Sequence, residues 1–189
     1  VRNRRSIKFK NNNQNFSTLS KSKYMSGKQC EKKLWLEKHA KYLASPFTEK
    51  QKYIMQQGSK IGKMAREQYP DGILIKASNL HPTDALVETK EALDHGEEVL
   101  FEPAFLYNDC LARVDILRKI DEDSWEIIEV KGSTKVKDEH IPDLSIQKYV
   151  LQNSGINIVK SSLMYINNKS ISPKFDELFI KQDLTNQVE

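Results

Sequence analysis

The sequence has few cysteines and no long apolar run. Only Cys30 and Cys110 occur among its 189 residues. Two cysteines cannot make a disulfide framework, and they are too few for a four-thiolate zinc or iron–sulfur site. No iron–sulfur cluster is expected. No stretch approaches the ~18–20 apolar residues of a membrane span, and no apolar signal-peptide core opens the chain. No membrane partner is expected, and the chain reads as soluble, reduced and cytoplasmic. No internal repeat is present. What the sequence does have is charge, 30 Lys+Arg against 26 Asp+Glu for a net +4. Residues 1–33 hold ten of the cations and one acid, Glu31, so this head is +9 and the rest is −5.

The length suits one ordinary domain with a real core. Residues 1–18 are basic and Asn-rich, cannot bury enough apolar surface to offset ordering, and are expected to be disordered. The first residue is Val rather than Met, which suggests a fragment. Order is expected over 19–187, as a helical part, 19–96, and a sheet core, 97–187. Ser20 can cap a short helix to Gly27, and a second helix carries Cys30, Leu34, Trp35 and His39. Thr48 with Gln51 makes a capping box for a long helix to about Tyr69, ended by Pro70-Asp71-Gly72. Ile73–Ile75 is a short strand, and Pro82 opens a helix that closes at Gly96. Strands follow over Val99–Tyr107, Cys110–Ile120 and Trp125–Lys131, with turns at Asn108-Asp109 and 121–124. A helix over Ile141–Gln152, a strand over Ile156–Ile166 and a last strand over Leu178–Leu184 complete the order. The fold class is α/β, a mixed central sheet flanked by helices, with an N-terminal helical cap.

Side chains alternate along a strand. Ala112, Val114 and Ile116 therefore share one apolar face, with Arg113, Asp115 and Leu117 on the other. In the third strand Trp125, Ile127, Glu129 and Lys131 share a face, and Glu129 and Lys131 lie about 7 Å apart along it. A hairpin symmetric about Glu122 sets Leu117 against Ile127 and Asp115 against Glu129. Two carboxylates would then face each other with Cβ atoms roughly 5 Å apart, an arrangement that destabilises a sheet unless a cation neutralises it. Hard oxygen donors of this kind suit Mg²⁺ or Mn²⁺. Lys131, one step along the same face, can hold a phosphate oxygen or help activate a water. The plainer alternative is a solvated strand face with scattered charges. In the next helix Leu144, Gln147 and Leu151 fall on one face. Gln147 is either a core Gln satisfied by backbone or a group that orients a nucleic-acid strand or a metal-bound water.

At these residues the chain resembles the PD-(D/E)XK nuclease superfamily. The likeness rests on Asp115 in LARVDILRK, on the E-x-K of Glu129-Val130-Lys131, and on Gln147 in DLSIQKYVL. It is nearest to RecB-type and CRISPR-associated exonucleases. More narrowly, SKSKYMSGKQCEKKLWL, FEPAF, EVKGSTKVKDEHIPDLSIQ and LFIKQDLT are similar to segments of an uncharacterised bacterial family. In that family a C-terminal ribonuclease-H-like domain usually follows. The resemblance implies a restriction-endonuclease-like core. It also implies a metal-dependent nuclease that cleaves phosphodiester bonds, DNA being the favoured substrate. Asp115 and Glu129 would hold Mg²⁺ or Mn²⁺, Lys131 would orient or deprotonate the attacking water, and Gln147 would position substrate or water. The alternative is an inactive nuclease-fold module that binds nucleic acid or a partner domain. The family's G-x-x-x-H helix pattern is broken here, because Gly62 stands four residues after Gly58 where the His belongs. Glu67, one turn on, is a candidate replacement ligand. The Pro before the catalytic Asp is replaced by Val114.

Further residues have two readings each. Glu102 is an exposed strand acid or ion-pair partner of Arg113, or else an extra carboxylate near the metal. His140, at a helix start, is a cap or could reach a scissile phosphate. Lys135 and Lys137 are an ordinary solvated loop or phosphate contacts. Tyr149 packs in the core or stacks on a base. Trp35 and Cys30 are expected in the core of the helical cap, and Trp125 could line the groove.

Overall fold

The computed structural model describes residues 18–77, 81–170 and 177–188. The basic segment expected to be disordered lies outside them, apart from Thr18. Two short helices come first, α1 (Lys21–Gln29) and α2 (Glu31–His39), with Ser20 Oγ accepting the Lys23 N–H as the α1 cap. The long helix α3 (Glu49–Arg66) starts at the expected capping box, in which Thr48 and Gln51 each accept the other's backbone N–H. Helix α4 (Pro82–Asp94) carries Pro at its first turn, and α5 is His140–Asn153.

Among the described residues nine strands form two sheets. A six-stranded mixed sheet runs in the order β2 (Ile73–Leu74), β3 (Val99–Phe101), β6 (Ile116–Asp121), β7 (Ser124–Lys131), β8 (Ile158–Ile166), β9 (Phe179–Asp183). A three-stranded sheet holds β5 (Cys110–Arg113) between β1 (Leu19–Ser20) and β4 (Ala104–Tyr107). This partition corrects two expectations. Val99–Tyr107 is two strands, broken at Glu102-Pro103, and Cys110–Ile120 is two strands, broken at Val114-Asp115. Both breaks stand side by side, so the hairpin crosses from one sheet to the other. The crossing is stitched by the Glu102 N–H donating to the Asp115 carbonyl and the Val114 N–H to the Pro103 carbonyl, both at 3.1 Å.

The break also corrects the faces. Ala112 and Val114 pack with Leu117 and Ile127 in the larger core under α5, whereas Ile116 packs with Ile128, Phe101 and Ala65 under α3. Strict alternation fails because it assumes one continuous strand. The hairpin register does hold. Leu117 pairs with Ile127 and Ile116 with Ile128, in the β6–β7 ladder symmetric about Glu122, and a bulge lies between Lys119 and Asp121. At the other sheet's tip Asn108 (φ 47°) and Asp109 (φ 59°) make the two-residue turn that links β4 to β5. Trp35 and Cys30 are exposed and not in the core of the cap. Trp125 packs against the larger core and is not among the cleft-lining residues. No helix among the described residues is long and apolar enough to cross a membrane.

Candidate active site

β7 carries Glu129 and Lys131 to the end of the six-stranded sheet with both side chains on one side of the strand. Lys131 Nζ lies 2.7 Å from Glu129 Oε1 and 2.6 Å from Asp143 Oδ2. Gln147, fully buried one turn after Asp143 on α5, donates from Nε2 to Glu129 Oε2 at 2.9 Å. The same nitrogen donates to the Asp143 carbonyl at 3.1 Å and to Asp143 Oδ1 at 3.2 Å. Gln147 Oε1 is buried without a hydrogen-bond partner. Of the two readings of Gln147, its amide is thus aimed at the acidic pair, with Leu144 and Leu151 beside it in the core.

Asp115 stands just past the end of the β6 ladder, where Oδ2 accepts the Val130 N–H at 2.7 Å. A cleft of about 430 Å³ brings Asp115, Glu129, Val130 and Lys131 together with Glu102 and with Gly58, Ser59, Gly62 and Arg66 of α3. Glu102 holds the left-handed conformation (φ 57°) at the strand break. A non-glycine residue there carries strain, which clusters at working sites. Arg113, one candidate partner of Glu102, meets the backbone at the break. It donates to the carbonyls of Glu102 and Ala77, at 3.1 and 3.0 Å, and so pins the break.

Three residues are drawn in that sequence reading missed. Lys21, at the first turn of α1, places Nζ 3.1 and 3.0 Å from the two Glu129 carboxylate oxygens and 3.5 Å from Asp143 Oδ1. Asp143 is the second partner of both lysines, and its spacing four residues before Gln147 was the available signal. Arg66 lines the cleft where Glu67 was the candidate. Glu67 is exposed and is not among the cleft-lining residues, because it caps the end of α3. His140 sits at the start of α5, as one of its two readings had it. It is buried, and its Nδ1 accepts the Lys137 N–H at 3.1 Å, so it closes the loop before α5. Burial and the Lys131 charge hold its pKa below the usual value. Lys135 and Lys137 are exposed in that loop, with Lys137 Nζ 3.6 Å from Glu139. Tyr149 is half exposed and meets Tyr107 edge-on at 5.7 Å.

The charges of this cluster act on one another. Burial and then the negative Glu129 push Asp115 up, against Lys21 and the Val130 N–H. Burial would also raise Glu129, but the charges of Lys21 and Lys131 and the hydrogen bonds from Lys131 and Gln147 outweigh it and hold its pKa down. Lys21 and Lys131 are likewise raised, since their acidic neighbours overcome burial. At Asp115 burial and the like charge of Glu129 outweigh the compensating Lys21. Among the described residues no three carboxylate, imidazole or thiol groups converge as a ready metal cage. Asp115 and Glu129 in an open cleft with room for water fit Mg²⁺ or Mn²⁺, which keep several waters and take one or two carboxylates plus substrate phosphate.

Among solved structures, the chain is similar to an alkaline exonuclease (LHK-Exo) from Laribacter hongkongensis. The identity is 13%, covering 88% of this chain and 76% of that one, with a TM-score of 0.50. The likeness is one of fold, a mixed α/β sheet flanked by helices. The mixed α/β class expected from the sequence is therefore the observed one. LHK-Exo in complex with dAMP aligns over the same shares at 13% identity and a TM-score of 0.49. No family model and no curated protein matches the chain.

Proposed function

We propose that the chain is a metal-dependent nuclease of the RecB exonuclease type, with DNA as its favoured substrate. The observation that carries this reading is the meeting of Asp115, Glu129 and Lys131 at one cleft, from a strand break and a strand end, with the buried Gln147 of α5 holding Glu129 from behind. Asp115 and Glu129 would hold Mg²⁺ or Mn²⁺, with the Val130 carbonyl as a further donor and Glu102 as an additional carboxylate. The ion, when bound, supplies a nucleophilic water near neutral pH and neutralises charge on the phosphate. Lys131, kept cationic by Glu129 and Asp143, is assigned to hold a phosphate oxygen and stabilise the pentacoordinate charge rather than to act as a base. Gln147 keeps Glu129 oriented, and its free Oε1 can accept from a water. Lys135 and Lys137 stand near enough in sequence to contact flanking phosphates.

The test is cleavage of end-labelled single- and double-stranded DNA in Mn²⁺. Activity should fall at least about 100-fold in Asp115→Ala and in Lys131→Ala. No cleavage by the wild type, or equal cleavage by both variants, would sink the enzyme. One observation favours a second reading, a nuclease-fold module that only binds. Gly62 leaves the α3 side of the cleft without the family's histidine. Metal-independent DNA binding with no cleavage would support it.

A further inference from the structure

Charge is divided between parts of the fold. Residues 18–66, which form α1 to α3, hold twelve Lys and Arg against three acids, a net +9. Residues 67–189 hold thirteen against 23, a net −10. Phosphate is thus attracted to the helical cap and repelled by most of the sheet body. Four of the cap's five aromatic residues lie outside, Tyr24 of α1 being partly buried. Trp35, Tyr42, Phe47 and Tyr53 are 58, 84, 60 and 62% exposed. Every residue from Lys41 to Gln56 is exposed. A lone exposed apolar side chain is ordinary, but four aromatics within nineteen residues, three of them in the sixteen-residue exposed run 41–56, mark a contact surface.

The same cap leads into the cleft. Tyr53 lies five residues before Gly58 on α3, about 7–8 Å along the helix axis. A side chain added at Gly58 or Gly62 would meet nothing within 4 Å. The cleft-facing surface of α3 at Gly58 and Gly62 is therefore bare, although glycine is unfavourable inside a helix.

We propose that the cap is a docking surface for single-stranded nucleic acid. Bases stack on Trp35, Tyr42, Phe47 and Tyr53, lysines of the cap neutralise the phosphates, and the strand passes the bare face of α3 into the cleft. A single strand is the fitting partner because its bases offer π-faces, which a duplex hides in its stack. Aromatic side chains and a basic track are the usual means of binding it without sequence preference. The passage into the cleft rests on the nuclease reading, but the binding itself does not.

Binding of a labelled 20-mer oligothymidylate and of a blunt 20-base-pair duplex, followed by anisotropy in EDTA, tests this. The single strand should bind more tightly, and the double variant Trp35→Ala/Tyr53→Ala should lose at least about tenfold for it. In a Trp125→Phe background the remaining Trp35 fluorescence should be quenched by the oligonucleotide. Unchanged affinity in a folded double variant, or no quenching, overturns the proposal. So does a wild type that sediments as a dimer when the double variant is monomeric with undiminished binding, for the aromatics would then cover a second copy. Trp35-dependent binding without cleavage in Mn²⁺ leaves the docking surface standing and removes the nuclease. Cleavage with Trp35-independent binding does the reverse.

Discussion

At the scale of single residues, the unexpected member of the site is Lys21. Its ammonium lies against both oxygens of Glu129, where it does part of what a divalent cation would do. In the metal-free protein Lys21→Met should therefore cost about 1–2 kcal/mol, less than the 3–5 of a fully buried broken pair because Lys131 and Gln147 remain on Glu129. On a chain of this length that is a fall in Tm of about 2–8 °C. The same variant should bind Mn²⁺ more tightly in calorimetry, since it no longer competes for Glu129. An unaltered Tm and Kd would mean that Lys21 does not occupy this position in solution. Glu129 and Lys131 were legible in the sequence because strand period puts them on one side of β7, and the turn symmetry brings Asp115 to the same end although it lies past the ladder. Lys21 was not, for it meets Glu129 from 108 residues away, and a lysine at a helix start has no local mark of that destination.

At the scale of the elements, the six-stranded sheet contains a second buried charge. Glu126 of β7 has no exposed surface, yet it pairs with Arg118 of β6 at 2.7 Å and Lys181 of β9 at 3.2 Å, and accepts from Ser162 of β8 at 2.6 Å. One carboxylate thus ties four neighbouring strands. Burial works against its charge, but these hydrogen bonds and cations overcome it and hold its pKa down. The stability it contributes is then present above the unfolded carboxylate value, about 4.3, and is lost as pH falls below it. Glu126→Gln should cost about 3 kcal/mol in urea unfolding at pH 7 and distinctly less at pH 3.5. A cost independent of pH would contradict the lowered pKa. Element boundaries read from turns and caps matched well here. The partition into two sheets did not emerge, because an unbroken run such as Cys110–Ile120 has the same alternation whether or not it bends at Asp115.

At the scale of the molecule, cation binding and stability are linked. An ion bound only by the folded chain adds about 2.7 kcal/mol at one hundred times its Kd. Mn²⁺ at that level should raise Tm by about 5–10 °C, and Asp115→Ala should abolish the rise. A rise that survives in Asp115→Ala would place the ion elsewhere. The sequence alone determined the hairpin register, the capped helices and the polar triplet at the end of β7, all of which depend on residues near one another in the chain. Only the tertiary structure decided that Asp143, Lys21 and Glu102 join them, that Arg66 rather than Glu67 lines the cleft, and that four aromatics of the cap stay outside. Those outcomes depend on which surfaces meet across the fold, and the meeting is set by packing of whole elements, which local periodicity does not encode.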